Sequence, residues 1–273
     1  MRKTLLIAFL IGGCGNDAKT GPELLPGFTP PPAPTNGFQI ILPIQHNLQP
    51  GSDNEICTWT DRILDADLDV KTVEAFQSEV GHHVVIYTTT VPQPAWTTRD
   101  CNGTDTVNFR FAAGSGGEGQ GIKNTAPGNL VYRLAKGSQI VINHHYLNAT
   151  SRVMDAQSAI NVTLADPNTT HIPSGSMVFL NTDLHIPAMS PGSADVTCTM
   201  QRDINAWYFI PHMHRWGQHI VVERTPVGSA TAEKMFDTDW NPEYTFHPPQ
   251  ITRDPSAPFA LKTGDQKIGR AHV

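Results

Sequence analysis

The stretch Gln139-Ile140-Val141-Ile142-Asn143-His144-His145-Tyr146-Leu147 opens on a run of β-branched residues and closes on polar and aromatic ones. It reads as a β-strand, and comparable short runs lie on both sides of it. They are Gln39–Leu42, Glu55–Thr60, His83–Thr89, Leu130–Arg133, Ala159–Leu164, Met177–Leu180, Ala194–Met200, Trp207–Ile210 and His219–Glu223. Gly, Pro, Asn and Asp separate them, a spacing that predicts sandwiches or barrels. Val70–Val80 is the one helical window, and it is short enough to be an extended segment instead. The polar segment Asn148–Gln157 breaks the rhythm near mid-chain. The expected fold class is therefore all-β, with two β-sandwich, jelly-roll-like domains in tandem over 38–150 and 156–267.

Composition agrees with this reading. The chain has 273 residues, enough for one large domain or two ordinary ones. Charged residues make up 16%, and Gly and Pro contribute 22 each, which argues against a coiled coil or helical bundle. Asp and Glu outnumber Lys and Arg by 25 to 19, with no basic run, so no nucleic-acid partner is expected. No apolar stretch reaches membrane-spanning length.

The N-terminus reads as an address. Arg2 and Lys3 precede the apolar run Leu5–Ile11, a secretory signal pattern over residues 1–13. Ile11-Gly12-Gly13-Cys14 resembles a bacterial lipobox, which makes Cys14 the lipidated first residue. Residues 14–37 are Pro-rich and are expected to form a stiff tether. The expected location is extracytoplasmic, with a lipid anchor on a bacterial, outer membrane and no other membrane contact. In an oxidising compartment two of Cys57, Cys101 and Cys198 should pair and one is left over. Gly114–Gly121 lacks the lysine and following helix of a phosphate cradle. Sequons beginning at Asn102, Asn148, Asn161 and Asn168 are read as surface loops.

Twelve histidines are the anomaly. His212-Met213-His214 places two imidazoles on one face if the segment is a strand, as metal ligation requires. Pro211 before it suggests a strand edge. Adjacent strand residues face opposite ways, so His82-His83 needs a strand end or a bulge, which Gly81 makes credible. Of His144 and His145, at most one should face a shared site. Imidazole-rich ligation without thiolate suits copper or zinc. His46, His171, His185 and His247 read as surface or structural residues, and His219 as a neighbour of the second motif.

The order of these motifs resembles the copper type II, ascorbate-dependent monooxygenases, the family of peptidylglycine alpha-hydroxylating monooxygenase and dopamine beta-monooxygenase. The matching residues are Asp53-Asn54-Glu55-Ile56-Cys57, His82-His83, Cys101, His145-Tyr146, Cys198, His212-x-His214 and Trp240-Asn241-Pro242 to Phe246-His247. The resemblance covers about residues 38 to 267 and implies two β-sandwich domains, each holding one copper. One copper would take His82, His83 and His145 and exchange electrons with ascorbate or a similar donor. The other would take His212, His214 and a methionine, and would use O2 to hydroxylate a C–H bond of a small organic substrate. A disulfide between Cys57 and Cys101 is implied as well.

Two departures qualify the resemblance. Peptide-hydroxylating members carry an Arg where this chain has Ile210, so a peptide carboxylate is not the expected substrate. The methionine ligand and the partner of Cys198 should lie in a segment beyond Gly264-Asp265 that this sequence does not contain, so the second domain is expected to be incomplete. One codon choice for Ile268–Val273 matches the start of a common sequencing adapter, and 268–273 is set aside as a candidate read-through. Two further readings are a non-catalytic copper-binding lipoprotein and, on a faint likeness around His212–Gly217, a zinc hydrolase or hydratase.

Overall fold

A computed structural model describes residues 23–116, 123–179, 181, 185–213, 216–245 and 248–272. The leader 1–13, the lipidation residue Cys14 and the ligand candidate His214 lie outside the described residues. What is described is nearly all β, and among these residues no helix is long and apolar enough to cross a membrane.

The first part contains β1 (Gly37–Ile41), β2 (Gln45–Leu48), β3 (Asp53–Ile63), β4 (Leu68–Gln77), β5 (Gly81–Thr89), β6 (Thr97–Asp100), a short helix α1 (Gly103–Asn108), β7 (Phe109–Gly116), β8 (Lys123–Thr125), β9 (Leu130–Leu134), β10 (Gln139–Leu147), β11 (Met154–Ala156), β12 (Ser158–Leu164) and β13 (Ile172–Ser174). One sheet runs β1-β12-β4-β9-β13 with β8 on β4, and the other runs β6-β3-β10-β5-β7. Ile40, Val73, Ala75, Ile160 and Val162 of the first sheet meet Val84, Ile86, Ala113, Ile140 and Ile142 of the second in one buried core. This is a β-sandwich.

Strand β10 is the centre of its sheet and is apolar on both faces. Ile140 and Ile142 point into the sandwich, while Val141 packs outside with Trp59, Phe109 and the Cys57 half-cystine. Cys57 and Cys101 form a disulfide, which holds β3 to the end of β6.

Of the two readings open for 70–80 the extended one holds: β4 occupies it to Gln77, paired with β12. Thr72 faces Thr163 and Val70 faces Leu164, so Lys71 is an extra residue in the ladder. That bulge lets Val70 and Val73 both reach the core, a three-residue interval that imitates a helical period. Met177–Leu180 is not a strand in its described part, and Met177 and Val178 are exposed there.

The boundary expected at 148–157 falls inside the sandwich, because β12 pairs with both β1 and β4 and β13 with β9. Asn148 is buried, and its amide donates to the carbonyls of Leu48 and Arg152, pinning a turn rather than opening a linker. Asn161 is also buried, so two of the four sequons are not on the surface, whereas Asn102 and Asn168 are exposed. The described part of the tether is pinned too. Pro31 and Pro32 carbonyls accept from Gln39 and Asn161, and Gln157 bonds the backbone at Glu23 and Leu25.

The second part contains β14 (Ser193–Thr199), β15 (Ile204–Ala206), β16 (Tyr208–Phe209), β17 (His219–Thr225), β18 (Glu233–Asp239), β19 (Ile251–Thr252), β20 (Phe259–Leu261) and β21 (Gln266–His272). A four-stranded sheet runs β14-β21-β17-β18, beside the ribbons β15–β20 and β16–β19. Met213, Ile220 and Trp240 form its buried cluster. The terminal Ile268–His272 segment is placed inside this sheet, between β14 and β17.

Candidate metal centre

At the end of the β10–β5 ladder His145 is paired with His83, but Tyr146 is paired with Gly81. Strand β5 therefore has one residue more than β10, and that residue is His82. The bulge resolves the difficulty of two adjacent ligands, because it lets His82 turn to the side already occupied by His83. Gly81 makes the tight entry into β5: a Cβ there would meet Gln77 Cβ at 2.2 Å. Before it, Val80 is buried with φ of 66°. A β-branched residue in that left-handed region costs about 1–3 kcal/mol and persists only where its surroundings enforce it. Here the Val80 carbonyl accepts from the Leu147 N–H, tying the turn to the end of β10.

The three rings converge through Nδ1. The Nδ1–Nδ1 separations are 2.9 Å for His82 and His83, 3.0 Å for His82 and His145, and 3.4 Å for His83 and His145. A ring nitrogen presents either a proton or a lone pair. With three nitrogens in mutual contact, at least two must present the same, and those two repel. A cation at the centre removes the conflict when all three present lone pairs. Ligands at about 2.0–2.1 Å in a tetrahedral arrangement stand roughly 3.3 Å apart, close to the separations found. These three residues are also the group of His, Cys, Asp or Glu side chains, among the described residues, whose ligand atoms gather closely enough for one ion.

The surroundings keep the His83 ring neutral. Burial, then the neighbouring His145, His82 and His212, drive His83 down to about 3, against an opposing hydrogen bond to Asn143. Asn143 is buried on the same sheet face, and its amide donates to Glu55 Oε1 at 2.8 Å and to Cys101 Sγ at 3.1 Å. The far nitrogen of His145, Nε2, meets the carboxylate of Asp53.

His144 faces the other way, as the alternation of a strand requires. It is fully buried, with Nε2 at 2.9 Å from Thr58 Oγ1 and Nδ1 at 3.1 Å from the Tyr146 hydroxyl, which sits 2.8 Å from Ser158 Oγ. Burial alone takes it down to about 3. It is a satisfied core histidine.

The second motif is placed differently from expectation. Strand β16 ends at Phe209, and residues 210–213 form no strand, so His212 lies on a loop. Pro211 has no N–H with which to continue the ladder. His212 is exposed, its ring 6.5 Å from that of Trp240, while Met213 is buried against Trp240 and Ile220. Met200 is buried, and Met235 lines a cavity of about 150 Å³ with Arg224, Arg253 and Phe259. His219 lies between Asp239 on Nδ1 and Asp237 on Nε2. His46 pairs with Asp155 and His171 with Thr169, both on the surface or near it. Cys198 is free and stands opposite Lys267 across β14–β21.

The sequence alone assigns no role to Asp53 or Asn143. Asn143 shares the period-two face of His145, a signal that was present. Asp53 reaches His145 only through the register that pairs β3 with β10.

No protein-family model and no curated protein matches the chain. Among solved structures it is similar to the PBSX exported protein XepA, at 10% identity over 100% of both chains with a TM-score of 0.28. It is also similar to a protein described as an alpha-L-fucosidase from Bacteroides ovatus, at 7% identity over 86% of this chain with a TM-score of 0.21. The match spans 35% of that second protein. Superpositions this loose bear on neither fold nor function.

Proposed function

We propose that the chain is an extracytoplasmic copper protein of monooxygenase type, with His82, His83 and His145 holding the copper that exchanges electrons. The convergence of three imidazole nitrogens at 2.9–3.4 Å supports this reading above all else. Its donor set is all nitrogen, which suits copper or zinc; the order of the histidine motifs along the chain favours copper. When bound, the copper supplies reversible one-electron exchange with ascorbate or a similar donor. The residues supply the rest. The bulge at His82 fixes three ligands on one sheet face, and burial keeps His83 unprotonated so that no proton competes for its lone pair.

The remainder of the reading rests on His212 and His214, which would hold a second copper and direct O2 toward a C–H bond of a small organic substrate. The Ile210 position offers no cation for a substrate carboxylate. The test is copper and zinc per chain after equilibration with both metals, followed by reduction of bound copper with ascorbate. One or more equivalents of copper, reduced by ascorbate and lost on replacing His82 and His83, is the expected result. Zinc in preference to copper, or no tight metal, overturns it. Copper at the first site with no oxygen consumption by any substrate panel points to a copper-binding lipoprotein.

A further inference from the structure

We infer that Asp53 is a positioning residue for the three-histidine centre, holding His145 in the form that offers Nδ1 to the metal and biasing the site toward the divalent ion. The inference rests on the reading of His82, His83 and His145 as a metal centre. Imidazole carries one proton when neutral. If Nδ1 is to present a lone pair, the proton must sit on Nε2. The Nε2 of His145 is the atom that meets the Asp53 carboxylate, so the N–H donates to an anion and the other tautomer would face two lone pairs toward each other. This arrangement of carboxylate, imidazole and metal is the common means by which proteins orient ligating histidines.

Placement of the carboxylate is built into the fold. Asp53 is the first residue of β3 and stands opposite Leu147, the last of β10, two pairs beyond His145. The loop before it is closed from both sides, with the Gly51 N–H on the Asn148 carbonyl at 2.7 Å and the Asn148 N–H on the Ser52 carbonyl at 3.0 Å. The buried Asn148 amide anchors that turn in addition. The backbone therefore fixes where the Asp53 side chain starts, although the side chain itself is 67% exposed. Exposure carries a second consequence: replacing it removes little packing.

There is also an electrostatic part. The three ligands are uncharged, so Asp53 brings the one negative charge that touches a ligand ring among the contacts described. An anion one ring away favours a divalent over a monovalent ion. Its loss should weaken Cu(II) and Zn(II) binding more than Cu(I) binding and raise the reduction potential of bound copper.

The experiment compares the wild-type chain with Asp53→Asn, Asp53→Ala and Asp53→Glu. Copper(II), zinc(II) and copper(I) affinities are measured by chelator competition, and the histidine tautomers of the metal-free protein by nitrogen NMR. Expected is a loss of about 10–100-fold in divalent affinity for Asp53→Asn and Asp53→Ala, a smaller loss for copper(I), partial rescue by Asp53→Glu, and a fall in the Nε2–H form of His145. Equal loss for all three ions, or unchanged affinities with an unchanged tautomer, overturns the role of Asp53 while leaving the metal centre standing. A wild-type chain that holds no metal overturns both.

Discussion

His145 and His83 stand directly opposite each other across the β10–β5 ladder, with ring centres 4.8 Å apart and planes at 75°. Direct cross-strand neighbours are the closest pairs a sheet offers, so two of the three converging imidazoles are set by register alone. The third, His82, is set by the bulge.

Replacing a ligand and replacing the neighbouring core histidine should therefore separate cleanly. His145→Ala should abolish tight metal binding with little change in the melting of the metal-free protein. His144→Ala should leave the metal stoichiometry intact but destabilise by about 1–3 kcal/mol, because Thr58 and Tyr146 lose a buried partner. Metal analysis and denaturant unfolding of the two variants measure both arms.

Gly81→Ala should damage the centre without touching a ligand. The added Cβ lands 2.2 Å from Gln77 Cβ, a side-chain atom next to the backbone that cannot swing aside. Overpacking of this kind costs about 1–3 kcal/mol, and relief requires the β4–β5 turn to shift the bulge. Weaker metal binding together with a lower melting temperature is the expected outcome.

Reduction of the Cys57–Cys101 disulfide should cost about 4 kcal/mol in the chain-entropy account of a loop this long. The two residues are 44 apart in sequence. Because the Asn143 amide rests on Cys101 Sγ, loss of the bridge should also alter the environment of His83. A paired Cys57→Ser, Cys101→Ser variant tested by urea unfolding and by metal affinity checks both effects.

The pH response of the second sheet has a defined sign. Hydrogen bonds to Asp239, then Asp237, raise His219 above its usual 6.5. A raised value means the folded state holds the proton more tightly than the unfolded chain. The stabilisation is thus fully present below about 6.5 and is lost as pH rises through the elevated folded value. Amide exchange along β17 and β18 should quicken across that interval, and Asp239→Asn should reduce the dependence.

Much of this was legible in the residues. Alternation and turn spacing located β1, β3, β5, β9, β10 and β12, and the family resemblance implied the set His82, His83 and His145 that the fold brings together. What escaped the sequence has physical causes. The bulge at Lys71 gave β4 a three-residue apolar interval, which a linear reading takes for helix. The polar run after Leu147 looked like a linker because the burial of Asn148 depends on carbonyls at Leu48 and Arg152. His212-Met213-His214 looked like a strand because spacing alone does not reveal that β16 stops at Phe209. Asp53 could not be paired with His145 without knowing the β3–β10 register.

The bulge at His82 has a consequence at the level of the gene. Without its extra residue, β5 would pair with β10 in unbroken register and would carry one histidine fewer. A cluster of three imidazoles at this edge is thus separated from a pair by one inserted residue, which the ladder takes up as a local bulge.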